Sequence, residues 1–271
     1  MAGESKSTLM KSPVLQALLK KGYEVLLLDD PIDEFVFQHL TEYEKKKMVN
    51  VAKGDFKFPD DDDSLRRKLK KLKRLYQPLT DWWKKLMPEQ VENVQVSQRL
   101  VEDPCVVISN EHGHSANMER IGKAQAYANA DKGSFYSEQK KILEINPNHP
   151  IVKELLERVK DGANAETEEL AKLLTETSFI NSGYNLQQPQ DYAGKFYKLF
   201  RGALGISKDA EIEEVDIDLD EDEDEEKEEK KDDEQENKDT PNESDTYTIP
   251  PENIKVEAHP SDDDKKSKDD L

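Results

Sequence analysis

The 271 residues carry 60 acidic and 40 basic side chains, a formal net charge of −20, with 34% hydrophobic and 7% aromatic residues. That length allows one or two domains with real cores, and the acidic balance argues against nucleic acid as a partner, because phosphates would be repelled. One cysteine, Cys105, excludes an intramolecular disulfide and a cysteine-based zinc site, and no apolar run approaches the roughly 20 residues that span a bilayer, so no membrane insertion is expected.

The charge is unevenly placed. From Ser207 to Leu271 there are 29 acidic and 9 basic residues, a net of −20, which leaves 31 of each in residues 1–206. The first 206 residues therefore read as an electrically balanced body. The remainder reads as a disordered acidic tail, too poor in apolar side chains to offset its ordering entropy. The opening residues, MAGESKSTLM, lack the apolar core of a signal peptide, so a leader is expected upstream if the protein is secretory.

Residues 12–30 form the first unit. Ser12-Pro13 starts a helix with Val14, Leu15, Leu18 and Leu19 as its stripe, and Gly22 ends it. Glu24-Val25-Leu26-Leu27-Leu28 suits a buried strand, and Asp30-Pro31 turns into a helical stretch through Phe35, Phe37 and Leu40. After a polar break at 54–63, a helix begins with Leu65, Leu69, Leu72 and Tyr76 on one side and Asp61 to Asp63 at its start, where the dipole favours them. Its seven basic residues between 66 and 74 read as a solvated face, with nucleic-acid or membrane binding as the competing reading.

Trp82 and Trp83 are adjacent on that helix, so at least one is expected at an edge or contact surface. Val94 and Val96, then Cys105 to Ile108, predict two strands of a small sheet, and Ile142 to Ile145 a further one. Cys105 reads as a buried strand residue. The alanine-rich stretch 115–136 predicts a mobile helix or loop. Asn146 to Pro150 is a turn that opens the helix of Val152, Leu155, Leu156 and Val159. Two helices close the body, one with Leu170, Leu173, Leu174 and Thr177, the other starting at Pro189. The second aligns Tyr192, Phe196, Leu199, Phe200, Ala203 and Leu204 on one side, with Gly205-Ile206 as its glycine cap. Such a hairpin either completes its own core or pairs with a second copy.

Six stretches then carry a resemblance: KKGYEVLLLDDPIDEF at 20–35, VSQRL at 96–100, DPCVV at 103–107, SANMERI at 115–121, EINPNHPIVKEL at 144–155 and SGYNLQQP at 182–189. In this order they resemble the heat-shock protein 90 family of chaperones across nearly all of residues 2–206. KAQAY at 123–127 and the acidic tail resemble its endoplasmic-reticulum members more than its cytosolic ones. The resemblance implies an α+β chain: a small αβα end of the middle domain at 1–53, then a mixed α/β C-terminal dimerisation domain at 54–206, then the tail at 207–271. The final two helices would form a four-helix bundle with a partner, using Leu170, Leu173, Leu174, Tyr192, Phe196, Leu199, Phe200 and Leu204. Client contact would fall to Trp82, Trp83, Met118, Ile121 and Tyr127. Two positions depart from the family pattern near that surface: Gly113 is followed by His114 rather than an aromatic, and Gly122 stands where a methionine is common.

The ATP-binding domain and the middle-domain arginine that assists hydrolysis fall outside the resemblance. This chain is therefore expected to be no enzyme and to hold no cofactor, although its parent would be an ATPase using ATP and magnesium. His112-Gly113-His114 near Cys105 lacks the further ligands of a metal site. Lys268-Asp269-Asp270-Leu271 is one methylene from the luminal retrieval signal Lys-Asp-Glu-Leu, which implies a retrieval receptor as partner and the endoplasmic reticulum lumen as location. Asn242-Glu243-Ser244 is a glycosylation sequon compatible with that compartment. The expected partners are thus a second copy, unfolded clients and the retrieval receptor. Two other classes compete: an acidic-tailed nuclear histone-binding protein, against which the retrieval-like terminus speaks, and a luminal calcium buffer, whose clustered carboxylates would load calcium weakly.

Overall fold

A computed structural model describes residues 1–54, 56–58, 62–126, 139–207 and 210–213. The predicted acidic tail, apart from its first few residues, and the retrieval sequence at 268–271 lie outside the described residues, as does Tyr127. The order of elements is α1 (Lys6–Met10), a 3-10 turn (Pro13–Leu15), α2 (Gln16–Lys20), α3 (Pro31–His39), β1 (Glu42–Tyr43), β2 (Lys46–Lys47), α4 (Asp63–Leu86), β3 (Val91–Val96), β4 (Cys105–Ile108), α5 (Ala116–Ala126), β5 (Lys141–Ile145), α6 (Pro150–Lys160), α7 (Ala165–Asn181) and α8 (Pro189–Ala203). Helix and sheet are mixed, in keeping with the α+β class.

The main sheet has the order β3-β5-β4, with β5 parallel to β3 and antiparallel to β4. Its alternating valines and isoleucines face one core with α4, α6 and α7. Tyr76, Leu79 and Trp83, at offsets 0, 3 and 7, lie along one line of α4 and are all buried. The Trp83 indole N–H donates to the Thr175 hydroxyl at 2.9 Å, and that hydroxyl donates to the Ala171 carbonyl at 2.8 Å. The Tyr76 hydroxyl donates to the Pro147 carbonyl at 2.6 Å, tying α4 to the turn before α6. Both aromatics thus meet the rule that a buried polar tip finds a partner.

Two expectations fail in the first 53 residues. Glu24–Leu28 is no buried strand: Leu28 makes a single parallel bridge to Ala2, and Leu26 is 56% exposed. Backbone bonds from Met1 to Leu26 and between Gly3, Met1 and Leu28 are all the pairing it receives from residues 1–3, too short a partner for a ladder. Leu19 points outward at 42% exposure, because α2 is a single turn that offers the core only Ala17 and Leu18 beyond the 3-10 turn. Gly22 does end the helix, at φ 78°.

A second core joins Val14, Leu15 and Leu18 to Val51, Phe58, Leu100, Val106 and Ile108. The junction at 51–54 is held by Arg99, which is 2% exposed. Its guanidinium donates to the Val51 carbonyl, to the Lys53 carbonyl at 3.0 Å and to the Glu144 carboxylate at 2.9 Å. Glu144, on central strand β5, also accepts from Ser97 at 2.7 Å and Gln95 at 3.0 Å.

Candidate interaction surfaces

Helix α8 starts at Pro189, whose missing N–H costs nothing in the first turn, and stops at Gly205, φ 70°, where the Ile206 N–H returns to the Arg201 carbonyl at 2.9 Å. None of its residues is buried. Phe196, Leu199, Phe200 and Leu204 are 38%, 46%, 51% and 69% exposed, and Tyr197, which periodicity alone does not select, is 66% exposed. Tyr192, Phe196 and Phe200 form an aromatic ladder with ring centroids 6.0 and 4.9 Å apart.

The helix is held upright by α7. Lys195 pairs with the largely buried Glu176, and Lys198 approaches Glu169 at 3.8 Å. Leu173 is buried within the protomer and Leu174 packs against the main core, so these two expected interface residues are spent mainly on their own fold. Leu170 is half-buried. The two halves of the predicted interface thus separate: α8 is open, while Leu173 and Leu174 of α7 face inward.

The expected client residues separate too. Trp82 and Ile121 are half-buried. Trp83 and Met118 are interior, at 0% and 7% exposure, which corrects the expectation that they present apolar surface. For Trp83 the cause is its phase on α4, in line with Tyr76 and Leu79. For Met118 it is the docking of α5 on α3, where Glu34 accepts from the Ser115 hydroxyl at 2.8 Å and the Asn117 amide at 3.0 Å.

An exposed apolar stripe lies instead on α3: Ile32, Phe35 and Val36 are 63%, 39% and 46% exposed at offsets 0, 3 and 4. Beside it runs a groove of about 740 Å³ whose walls include Leu26, Phe37, Val49, Phe56 and Met118. The sequence shows the periodicity of α3 but not which way its stripe faces.

Cys105 sits on β4 at 2% exposure, and burial pushes its thiol well above the ordinary range, which leaves it an inert core residue. The His114 imidazole is shifted down by burial and by Lys141 and Lys53, toward its neutral form. Burial raises the Glu119 carboxyl, opposed by its hydrogen bond and charge pairing with Lys141. Among the described residues there is no cluster of three metal-ligating side chains, and no helix is long and apolar enough to cross a membrane.

The described residues thus combine a mixed sheet backed by a long helix with a closing helical hairpin whose aromatic face is uncovered. The sequence matches the family described as Hsp90 protein over residues 1–268, and the chain belongs to that family. Similar curated proteins are endoplasmin homologs of Hordeum vulgare, 43% identical over 216 residues, Catharanthus roseus, 44% over 218, and Arabidopsis thaliana, 44% over 216. These alignments cover 79%, 80% and 79% of this chain but 26% of each relative.

Proposed function

We propose that this chain is the C-terminal dimerisation and client-contact part of an ATP-dependent molecular chaperone of the endoplasmic reticulum lumen. The observation that carries the reading is α8: an ordered helix with four large apolar side chains at least 38% exposed, anchored by ion pairs that leave its aromatic face free. A contiguous face of that kind marks an association site, and the chain's membership of the Hsp90 family supports a second copy as the partner. Static light scattering on the full chain tests it. Twice the 31.1 kDa chain mass at micromolar concentration is expected, and a monomer overturns it.

Client contact falls to the α3 stripe of Ile32, Phe35 and Val36 with its groove, together with Trp82 and Ile121. ATP and magnesium belong to the longer protein, and calcium to the carboxylates after Ser207, loosely held. One calorimetric series checks both. ATP should give no saturable heat, and calcium should give weak, non-cooperative heat on the order of millimolar affinity. A micromolar site for either refutes the corresponding assignment.

The luminal location is tested by appending residues 261–271 to a secreted reporter. The reporter should be retained, should escape when Leu271 is followed by further residues, and should be retained slightly better with Asp270→Glu. Free escape of the unmodified reporter overturns retrieval by this sequence.

A further inference from the structure

The first half of α4 is a cationic face. Arg66, Arg67, Lys68, Lys70, Lys71, Lys73 and Arg74 fall in residues 64–80, a stretch without an acidic residue. At 100° per residue, all but Lys68 fall on one arc of about 160°. The seven are exposed, while Leu69 and Leu72 on the other side pack against the main core and Tyr76 is buried. Among the described residues one ion pair touches the seven, Arg66 with Asp63 at 3.7 Å, and both of its side chains are largely exposed.

This arrangement costs the helix stability. Arg66–Lys70, Arg67–Lys71 and Lys70–Arg74 are like-charge neighbours one turn apart. So are Arg67–Lys70, Lys68–Lys71, Lys70–Lys73 and Lys71–Arg74 at the three-residue spacing. Arg66 and Arg67 also stand near the helix N-terminus, where the positive end of the dipole repels cations. A helix that only needed solubility would mix its charges. Concentrated anionic charge along the arc relieves both costs at once.

We propose that this face of α4 docks an acidic polypeptide segment of a partner protein. Cations four residues apart on a helix stand about 6 Å apart, and alternate side chains of an extended chain about 6.7 Å. A run with a carboxylate at every second residue therefore meets Arg66, Lys70 and Arg74 in one row, or Arg67 and Lys71 in the next. Stacking of single-stranded bases would need aromatic platforms, and none lies between Ser64 and Leu75. Insertion into a bilayer would need the apolar face of the helix, and Leu69 and Leu72 of that face are engaged in the core. Charge complementarity to an acidic polypeptide fits the spacing of these rows.

The test uses the full chain and a fluorescein-labelled peptide of about twelve residues in which glutamate alternates with serine, followed by anisotropy. Saturable binding is expected at low ionic strength, weakened at least about tenfold near 0.3 M salt. The variant Arg67→Glu/Lys70→Glu/Lys71→Glu/Arg74→Glu should abolish binding. The milder Arg67→Gln/Lys70→Gln/Lys71→Gln/Arg74→Gln should weaken it at least about tenfold while raising the melting temperature, because the internal repulsion is gone. Lys45→Glu/Lys46→Glu/Lys47→Glu, on the exposed β1–β2 hairpin, should leave binding unchanged. The proposal is overturned if the peptide does not bind or if the glutamine variant binds as well as the parent. It is equally overturned if oligothymidylate or phosphatidylserine vesicles bind more tightly than the peptide.

Discussion

Replacing Phe196 and Leu199 with glutamate is expected to turn a dimer into a monomer that keeps its helical signal. The two side chains are 38% and 46% exposed, so pairing can still remove a little under half of each from water. A fully buried side chain of this size is worth about 1.5–3 kcal/mol, so each contributes about 0.7–1.3 kcal/mol. A twofold interface counts each residue twice, which gives about 3–5 kcal/mol for the pair of sites. The dissociation constant should therefore rise by at least about a hundredfold from lost apolar contact, and further from four carboxylates facing one another. The protomer itself should survive, because no residue of α8 is buried in it. Sedimentation velocity against concentration, with far-ultraviolet circular dichroism beside it, separates the outcomes. A dimer that persists moves the interface off α8, and lost helicity would show that α8 supports its own protomer.

Much of this surface can be read in the sequence, for a physical reason. Amphipathic periodicity marks which residues of a helix share a side, and α8 has its apolar residues on one side. It does not say whether the side meets its own core or a partner. Leu173 and Phe196 look alike as letters, yet one is 8% exposed and the other 38%. The same ambiguity misplaces Trp83. Two adjacent tryptophans cannot share a face, but only the phase set by Tyr76 and Leu79 decides which turns inward. The run Glu24–Leu28 has strand composition and lacks a ladder, because strand formation depends on a partner that local sequence cannot specify.

Polar residues are where the letters mislead most. Asn146 in the predicted turn is 1% exposed and donates to the carbonyls of Val101 and Asp103 at 3.1 Å each. Glu34, in a stretch recognisable by family resemblance, works as an acceptor that fixes α5 on α3. Charged and amide side chains are read as surface by default. Their burial becomes visible only when the tertiary fold brings donors and acceptors together from distant segments.

Arg99 shows the consequence most sharply, and Arg99→Ala should cost about 3–5 kcal/mol, a large share of the about 5–15 kcal/mol that holds a domain together. The guanidinium serves three acceptors at once, two of them on the buried Val51 and Glu144 and the third on the half-buried Lys53. Removing it leaves the Glu144 carboxylate, on a residue 3% exposed, with Ser97 and Gln95 but no cation, and strips the carbonyls of Val51 and Lys53 of this donor. Lysine is a poor replacement, since one ammonium cannot span the fork from β5 to both carbonyls. Arg99→Met with Glu144→Leu should be less damaging than Arg99→Ala alone, because it removes the buried charge together with its partner. Chemical denaturation of the single and double variants measures that coupling. Limited proteolysis adds a local readout: if Arg99 clamps the junction, cleavage after Lys53 should quicken in the single variant under conditions where the sheet is still folded. Equal denaturation midpoints for parent and Arg99→Ala would mean that Glu144 is satisfied without the guanidinium, and that the junction is held by the apolar contacts of Val51 and Phe58 instead.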